Sequence, residues 1–313
     1  MAIPGKLPSL VRPALLGPSG EPGAATFAPS AALDAPLDTV AVRKPRAVAE
    51  EDPVRPLIIA HRGASHDAPE NTLAAFRLAF QKHDADGIEF DVRLTQDGKV
   101  VVFHDEDTSR LAPQKLTVRE STLAQLQQLD IGQHEGIIQR IPELKDVLAL
   151  VPAHKKAFVE LKEDMLNDKA LAQAVAAELE RNDPRIFASA FDGGTLAAFH
   201  QAAPEFPTAL LFEAQATQGE HTLRPEDAAS MADASHAQAL SPHYQIVLDG
   251  VPRNWGDRPV NVWTVDSPEA MQALAKKGVA SIITNEPGMA REALGRGPAP
   301  VNSDWLTAGI EER

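Results

Sequence analysis

Short apolar runs alternate along this chain with longer segments in which apolar residues recur at helical spacing. After Pro56, eight such runs predict buried strands: Leu57–Ala60, Gly87–Val92, Ala157–Leu161, Ile186–Ala190, Thr208–Phe212, Ala237–Leu240, Val260–Val265 and Ala280–Thr284. The helical pattern is clearest in Leu73–Lys82, Asp168–Glu180, Gly194–Gln201 and Pro268–Lys277. Buried strands separated by helices are typical of a parallel sheet, and eight βα units predict an α/β fold of the (β/α)₈ TIM-barrel type. The alternative is an open doubly wound sheet, but no Gly-x-Gly-x-x-Gly turn follows the first strand.

One further apolar run, Val100–Phe103, lies outside the count of eight. It follows the second strand across Gln96-Asp97-Gly98-Lys99, and Asp-Gly is a strong hairpin signal. We therefore predict an antiparallel β-hairpin after strand two, which would bring His104 back near Asp91. In the helical region that follows, Ser121 is a candidate N-cap.

The chain divides by composition into three parts. Residues 1–52 are rich in proline and alanine without a sustained apolar pattern, which predicts a disordered leader. The barrel domain is predicted at residues 53–295, and a C-terminal tail at 296–313. The apolar stretch at Val11–Leu16 contains Pro13 and is shorter than the centre of a secretory signal, about 7–15 residues. No run approaches the roughly 18 apolar residues of a membrane span. We expect a cytoplasmic protein without stable membrane association, and a periplasmic location is the less favoured alternative.

Charge and cysteine content narrow the possible chemistry. The formal net charge of −14 argues against nucleic acid as a partner, because the average field repels polyanions. A small anionic substrate remains possible where local cations overcome that field. The absence of cysteine excludes disulfides, thiolate metal sites and a cysteine nucleophile. The oligomeric state stays open.

Polar side chains follow the first three predicted strands, where a TIM barrel carries its catalytic groups. Residues two apart on a strand share a face, so two pairs of charged side chains should point inward together. Adjacent carboxylates repel unless a cation lies between them, and hard divalent ions take carboxylate oxygens as ligands. The residues concerned are His61, Arg62, Glu89, Asp91, Glu160 and Lys162.

Three residues have two readings each. Asn71 either caps the helix that begins near Thr72 or serves the site. Lys162 is either a counter-ion for Glu160 or an anion-binding group, and the anion-binding reading is favoured. Trp263, near the end of the seventh strand, is either a substrate contact or a packing residue.

Taken together and in order, these segments resemble the glycerophosphodiester phosphodiesterase family over residues 56–294. The matching segments are His61-Arg62-Gly63, Pro69-Glu70-Asn71-Thr72, Glu89-Phe90-Asp91-Val92, Thr95-Gln96-Asp97-Gly98, Phe103-His104-Asp105, Glu160-Leu161-Lys162, Ser189-Ala190-Phe191, Trp263-Thr264-Val265 and Gly278–Pro287. One departure is Asn285, where many members carry an aspartate; we expect it to lie outside the metal cluster. No large inserted domain interrupts the match.

The resemblance implies a TIM barrel that binds one divalent cation, Mg²⁺ or Ca²⁺, and hydrolyses a small-molecule glycerophosphodiester to sn-glycerol 3-phosphate and an alcohol. It assigns Glu89, Asp91 and Glu160 as metal ligands, His61 and His104 as the general acid/base pair, Arg62 and Lys162 as phosphate-binding groups, and Glu70 and Asn71 as supporting residues.

Two other functions remain as alternatives. The first is a lysophospholipase D-type hydrolase acting on lipid phosphodiesters, and the second is a catalytically inactive phosphodiester-binding barrel. For the reaction itself, we hypothesise attack by the neighbouring glycerol hydroxyl to give a cyclic phosphate, with direct attack by water as the rival. The preferred head group is not predicted.

Overall fold

The computed structural model describes residues 55–162, 168–213, 222–297 and 299. The predicted disordered leader at residues 1–52 lies outside the described residues, as does most of the predicted tail at 296–313. In the described part of the chain, no helix is long and apolar enough to cross a membrane.

Eight parallel strands form a barrel, which confirms the predicted fold. The strands of the described residues are β1 (Leu57–His61), β2 (Gly87–Leu94), β3 (Val100–Val102), β4 (Gln133–His134), β5 (Ile137–Ile138), β6 (Lys156–Leu161), β7 (Ile186–Ala190), β8 (Thr208–Phe212), β9 (Ala239–Pro242), β10 (Asn261–Val262) and β11 (Ser281–Thr284). The order around the barrel is β10-β11-β1-β2-β6-β7-β8-β9, and isolated parallel bridges between Leu240 and Val260 and between His243 and Trp263 join the two ends. Strand β3 pairs with β2, and β4 with β5, both antiparallel.

The helices between the strands pack outside the barrel and are mostly capped by side chains. They are α1 (Leu73–Gln81), α2 (Leu123–Leu126), α3 (Leu144–Leu150), α4 (Lys169–Glu178), α5 (Gly193–Ala202), α6 (Ala228–Ser235), α7 (Tyr244–Asp249), α8 (Pro268–Lys276) and α9 (Pro287–Ala293). Asp168 and Asp192 each accept a backbone N–H in the first turn of α4 and α5, which satisfies a donor that has no partner inside the helix.

Two capping expectations are corrected by the structure. Thr72, not Asn71, caps α1, because the Thr72 side chain accepts the Ala75 N–H. Thr122, not Ser121, caps α2, where it forms a capping box with Gln125. The Ser121 hydroxyl instead donates to the carbonyl of Thr117. Of the two readings of Asn71, the capping one is therefore wrong.

Three of the eight barrel strands differ from prediction by two or more residues. Strand β2 runs past Val92 to Leu94 because β3 pairs with its final residues. Strand β9 begins at Ala239 rather than 237, since the N–H of Ala237 still donates to the carbonyl of Ala232 and closes α6. Strand β10 comprises only Asn261–Val262 of the predicted Val260–Val265.

The predicted hairpin after strand two is confirmed and has a clear consequence for the site. Val92, Arg93 and Leu94 pair with Val102, Val101 and Val100 across the turn that contains Gly98. The N–H of Phe103 then donates to the carbonyl of Asp91 at 2.9 Å. His104, the next residue, therefore returns to the rim above the two carboxylates of β2.

The apolar core is a continuous layer between the barrel and its helices. Large side chains such as Phe76, Phe90 and Phe199 are fully buried there. Buried apolar residues of the segment from Val101 to Ile141 form a second cluster. Inside the barrel, buried apolar residues are few and include Ile59, Phe158 and Ile283. This arrangement leaves space at the barrel mouth, the end at which the eight parallel strands finish.

Candidate active site at the barrel mouth

Three carboxylates converge at the barrel mouth. Glu89 and Asp91 point inward from β2, and Glu160 lies directly across from Asp91 in the β2–β6 register. One oxygen from each of the three lies within 4.8 Å of the others. Glu89 Oε1 and Asp91 Oδ1 are buried without a hydrogen-bond partner among the described residues. Buried orphan acceptors on two of three adjacent carboxylates suit a hard divalent cation.

The electrostatics of this cluster separate its two buried members. Burial, together with the charges of Asp91 and Glu160, raises the pKa of Glu89 well above its usual value. Burial acts the same way on Asp91, but the charges of Arg62, His104 and Lys162 together with the Asn71 hydrogen bond outweigh it, and the pKa of Asp91 is lowered. Without a cation the three carboxylates therefore compete for too little positive charge.

Arg62 is held by acidic groups on two sides. Its Nη1 donates to Glu70 Oε1 at 2.8 Å, and its Nε lies 3.2 Å from Asp91 Oδ2. Its backbone N–H donates to Glu89 Oε2 at 3.2 Å. The side chain is mostly buried but lines the cavity at the mouth. Arg62 thus presents a fixed positive charge beside the carboxylate cluster.

The backbone at Arg62 and Asn71 has a conformation that is unusual for residues other than glycine. Arg62 and Asn71 have φ of 56° and 55°, in the left-handed region. The N–H of Asn71 donates to the carbonyl of Arg62, and its side-chain amide donates to Asp91 Oδ2 at 2.8 Å. Such conformations persist where surrounding contacts enforce them, which is common at functional sites.

His61 ends β1 and is mostly buried. Its Nε2 lies 3.9 Å from Glu89 Oε2, on the side of the carboxylate cluster. Its Nδ1 lies 2.7 Å from Oδ1 of Asn285, which follows β11. Burial and the neighbouring Arg62 charge lower the pKa of His61, which favours the neutral ring.

His104 approaches the same cavity from the hairpin. Its Nδ1 lies 2.7 Å from Asp105 Oδ1, so a carboxylate fixes one ring nitrogen. Arg110 connects this pair to the Arg62 side of the site: its Nε donates to Asp105 Oδ2 at 2.6 Å, while its Nη1 and Nη2 donate to the two oxygens of Glu70 at 2.9 and 2.7 Å. One guanidinium thereby links the partners of both Arg62 and His104.

Lys162 follows β6 and supplies the second cation at the mouth. Its Nζ donates to Glu160 Oε1 at 2.8 Å and lies 5.5 Å from the centre of the Phe191 ring. Burial lowers the pKa of Lys162, but the charges of Glu160 and Asp91 outweigh burial and raise it. The ammonium is therefore charged at neutral pH.

These groups surround one cavity of about 320 Å³. Its polar lining contains His61, Arg62, Glu89, His104, Glu160 and Lys162, and apolar side chains form much of the remaining wall, among them Phe158, Phe191, Leu211, Trp263 and Ile283. The indole of Trp263 is fixed because its Nε1 donates to the carbonyl of Ser241 at 2.7 Å. Asp91, Glu70 and Asn71 do not line the cavity and contact its lining residues from behind.

The sequence alone assigned no role to Arg110, Asp105 or Asn285, although each contacts a residue of this site. Arg110 lies in an irregular segment, and no local pattern signals that it reaches Glu70. Asp105 was visible as the neighbour of His104. Asn285 lies outside the carboxylate cluster, as predicted. It contacts His61 because β1, which ends at His61, pairs with β11, which Asn285 follows.

A barrel whose mouth combines clustered carboxylates, two histidines and two cations fits the class of hydrolases that transfer phosphoryl groups, and its three carboxylates could hold a metal ion. A sequence model of the "Glycerophosphoryl diester phosphodiesterase family" matches residues 61–289. The chain belongs to this family, as predicted, and the prediction of a phosphodiesterase enzyme is confirmed.

Individual relatives agree with the family assignment. A glycerophosphodiester phosphodiesterase of Caldanaerobacter subterraneus subsp. tengcongensis is 33% identical over 244 residues, covering 75% of this chain and 96% of the relative. The structure of an Oleispira antarctica phosphodiesterase in complex with the product sn-glycerol-3-phosphate superposes with a TM-score of 0.66 at 25% identity, covering 77% of this chain and 97% of the other. The structure of a glycerophosphodiester phosphodiesterase from Thermotoga maritima has a TM-score of 0.62 at 28% identity, covering 76% and 97%.

Proposed function

We propose that this protein is a divalent-cation-dependent hydrolase that converts glycerophosphodiesters to sn-glycerol 3-phosphate and an alcohol. The observation that carries the proposal is the convergence at the barrel mouth of three carboxylates, two imidazoles and two fixed cations, of which all but Asp91 line one cavity. Relatives named for this activity and a product complex of a related phosphodiesterase support the choice of substrate.

Glu89, Asp91 and Glu160 would hold one Mg²⁺ or Ca²⁺ ion. The orphan oxygens of Glu89 and Asp91 and the mutual approach of all three residues support this assignment. When bound, such an ion supplies Lewis-acid stabilisation of the charge that grows on the phosphoryl oxygens. Both ions prefer oxygen ligands, so the donor set does not distinguish them.

Arg62 and Lys162 would bind the phosphodiester anion. A protein with a net charge of −14 needs such local cations to admit an anionic substrate. Both side chains line the cavity while acidic partners hold them in place, which limits the entropy lost when the phosphate binds. Glu70 and Asn71 would support this site by holding Arg62 and Asp91.

His61 and His104 would serve as the general acid/base pair. One imidazole accepts the proton of the nucleophilic hydroxyl as the new O–P bond forms, and the other protonates the departing alkoxide as the old P–O bond breaks. With the adjacent glycerol hydroxyl as nucleophile, the first product is a cyclic phosphate, which water opens with the two roles exchanged. Direct attack by water needs the same two groups but gives no cyclic product.

The apolar wall would receive the alcohol portion of the substrate. Trp263 and Phe191 pack edge to face with ring centres 5.5 Å apart, next to the phosphate-binding side. Their position supports a role for Trp263 in substrate contact. A lipid-chain substrate would need to extend beyond a cavity of about 320 Å³, which favours small head groups over lysophospholipids.

The test is release of glycerol phosphate from glycerophosphocholine, with lysophosphatidylcholine as the competing substrate. We expect chelation to abolish activity and added Mg²⁺ or Ca²⁺ to restore it. His61→Ala and His104→Ala should each lower kcat by about 10²- to 10⁴-fold with the fold intact. His154→Ala, at an exposed histidine away from the cavity, is the matched control.

Activity that survives exhaustive chelation would refute the metal role. Full activity of either cavity histidine variant would refute its acid/base role. A single-turnover reaction that shows no cyclic glycerol phosphate at any time would favour direct attack by water, and faster turnover of the lysophospholipid would favour the lipid-directed alternative.

A further inference from the structure

The ring of His61 has two nitrogens in different surroundings. Nε2 faces the carboxylate cluster, 3.9 Å from Glu89 Oε2. Nδ1 faces the opposite way and lies 2.7 Å from Asn285 Oδ1. Which nitrogen carries the proton in the neutral ring depends on what Asn285 presents to Nδ1.

The contacts of Asn285 determine the orientation of its amide. Its Nδ2 donates to Asp266 Oδ2 at 2.6 Å, and a carboxylate can only accept. Its Oδ1 also receives the hydroxyl of Ser65 at 2.9 Å. The amide nitrogen must therefore face Asp266, so the amide oxygen faces His61.

Asp266 is itself fixed in place. Its Oδ1 accepts the backbone N–H of Asn285 and the hydroxyl of Thr284, both at 2.9 Å. The carboxylate is thus attached to the end of β11, the strand that pairs with β1 and therefore lies beside His61. The orientation of the amide consequently depends on a carboxylate that is hydrogen-bonded to the end of a barrel strand.

We propose that Asn285, oriented by Asp266, is a positioning residue that holds neutral His61 in the Nδ1–H form, so that the lone pair of Nε2 faces the cavity. An amide oxygen can only accept from Nδ1, and that requirement leaves Nε2 without a proton. Only the kinetic consequence of this inference rests on the proposed acid/base role of His61. The tautomer itself is a property of the resting protein.

A direct test observes the ring nitrogens by NMR in protein labelled with ¹⁵N-histidine, with His61→Ala used for assignment. We expect wild-type His61 to carry its proton on Nδ1 when neutral. In Asn285→Ala the Nδ1–H loses its acceptor, and the population should move toward the Nε2–H form that free imidazole side chains favour. Asn254→Ala, at an exposed asparagine far from the cavity, should leave the His61 signals unchanged.

Kinetics of the cation-loaded enzyme supply the second readout. Loss of an orienting partner typically costs about 10- to 100-fold, so we expect Asn285→Ala to lower kcat by that factor while KM stays within about twofold. A residue that only stabilised the fold would lower the melting temperature without this change in kcat. Asn285→Leu, which keeps the side-chain volume without an acceptor, should behave like Asn285→Ala and guards against a variant that fails to fold.

Exchanging the side chains of Asn285 and Asp266 tests whether Asp266 acts on His61 through Asn285. Asn285→Asp alone places two carboxylates 2.6 Å apart and should be worse than Asn285→Ala. Combined with Asp266→Asn, the introduced carboxylate still accepts from Nδ1, while the introduced amide donates to it. We expect the double variant to regain the Nδ1–H form and most of kcat.

An unchanged His61 tautomer in a folded Asn285→Ala, unchanged kcat in that variant, or a folded double variant without recovery would each overturn the proposal. Failure of the proposed function looks different. In that case wild type would hydrolyse no glycerophosphodiester, while the NMR experiment would still report the Nδ1–H form and its dependence on Asn285.

Discussion

Replacing Glu89 by glutamine removes one of three neighbouring carboxylates from the barrel mouth while keeping the shape of the side chain. Two unit charges 4.8 Å apart, the outer limit within the cluster, repel by about 3.5 kcal/mol at an effective dielectric constant of about 20. Proton uptake by Glu89, whose pKa is raised, relieves part of this repulsion in the cation-free protein. Glu89→Gln should therefore melt no lower than wild type in the presence of chelator.

Addition of a divalent cation should reverse that order. At a cation concentration 100 times Kd, wild type gains about 2.7 kcal/mol. For a domain of this size that corresponds to a rise in Tm of about 5–10 °C. If the loss of one ligand weakens binding tenfold, the same concentration stabilises the variant by only about 1.4 kcal/mol, which halves the rise in Tm.

Differential scanning calorimetry of chelated protein, before and after addition of Mg²⁺ or Ca²⁺, makes the comparison. Glu205→Gln, at an exposed carboxylate outside the cluster, removes the same charge and should respond as wild type does. Equal cation-induced shifts in Glu89→Gln and wild type would refute the assignment of Glu89 as a ligand. The absence of any shift in wild type would refute the cation site as a whole.

Three further changes test the surroundings of the site. Arg110→Met removes the guanidinium that links Asp105 and Glu70, so kcat/KM should fall about tenfold with unchanged secondary structure. Unchanged kinetics would contradict this. Asp67→Asn removes an ion pair to the exposed Lys82 worth at most about 1 kcal/mol at pH 7. Hydrogen bonding from Lys82 lowers the pKa of Asp67 to about 2. The stabilisation is therefore complete above the pKa of Asp in the unfolded chain, near 3.9, and is lost as the pH falls through about 2. The melting curves of wild type and Asp67→Asn should converge at that low pH. Gly63→Ala combines a φ of 83° with a new Cβ only 2.7 Å from the backbone of Ala75, and should cost about 2 kcal/mol or more by denaturant titration.

The barrel was predictable because buried strands leave a strong apolar signal and helices interrupt it at regular intervals. The hairpin was equally visible, since Asp97-Gly98 lies between two apolar runs. Boundaries were harder. Ser121 and Thr122 are both good caps, and only the reciprocal hydrogen bonds with Gln125 select Thr122.

The site was predictable as a set of residues but not as a set of contacts. Strand periodicity placed Glu89 and Asp91 on one face, the end of strand one and the predicted hairpin placed His61 and His104 near them, and the family resemblance assigned the acid/base role. The contact between Arg110 and Glu70 joins residues 40 positions apart through irregular backbone, where no periodicity applies. The contact between His61 and Asn285, 224 positions apart, depends on closure of the barrel, and chain neighbours alone do not reveal it.

Unequal strand pairing gives the two sides of the cavity different freedom to change. The proposed ligands lie where β2 and β6 pair over six consecutive positions, Gly87–Val92 with Lys156–Leu161. Trp263 lies across the barrel, where β9 and β10 are joined only by isolated bridges. Evolution could therefore remodel the wall that receives the alcohol, and with it the range of accepted head groups, while the chemistry of the opposite wall stays the same.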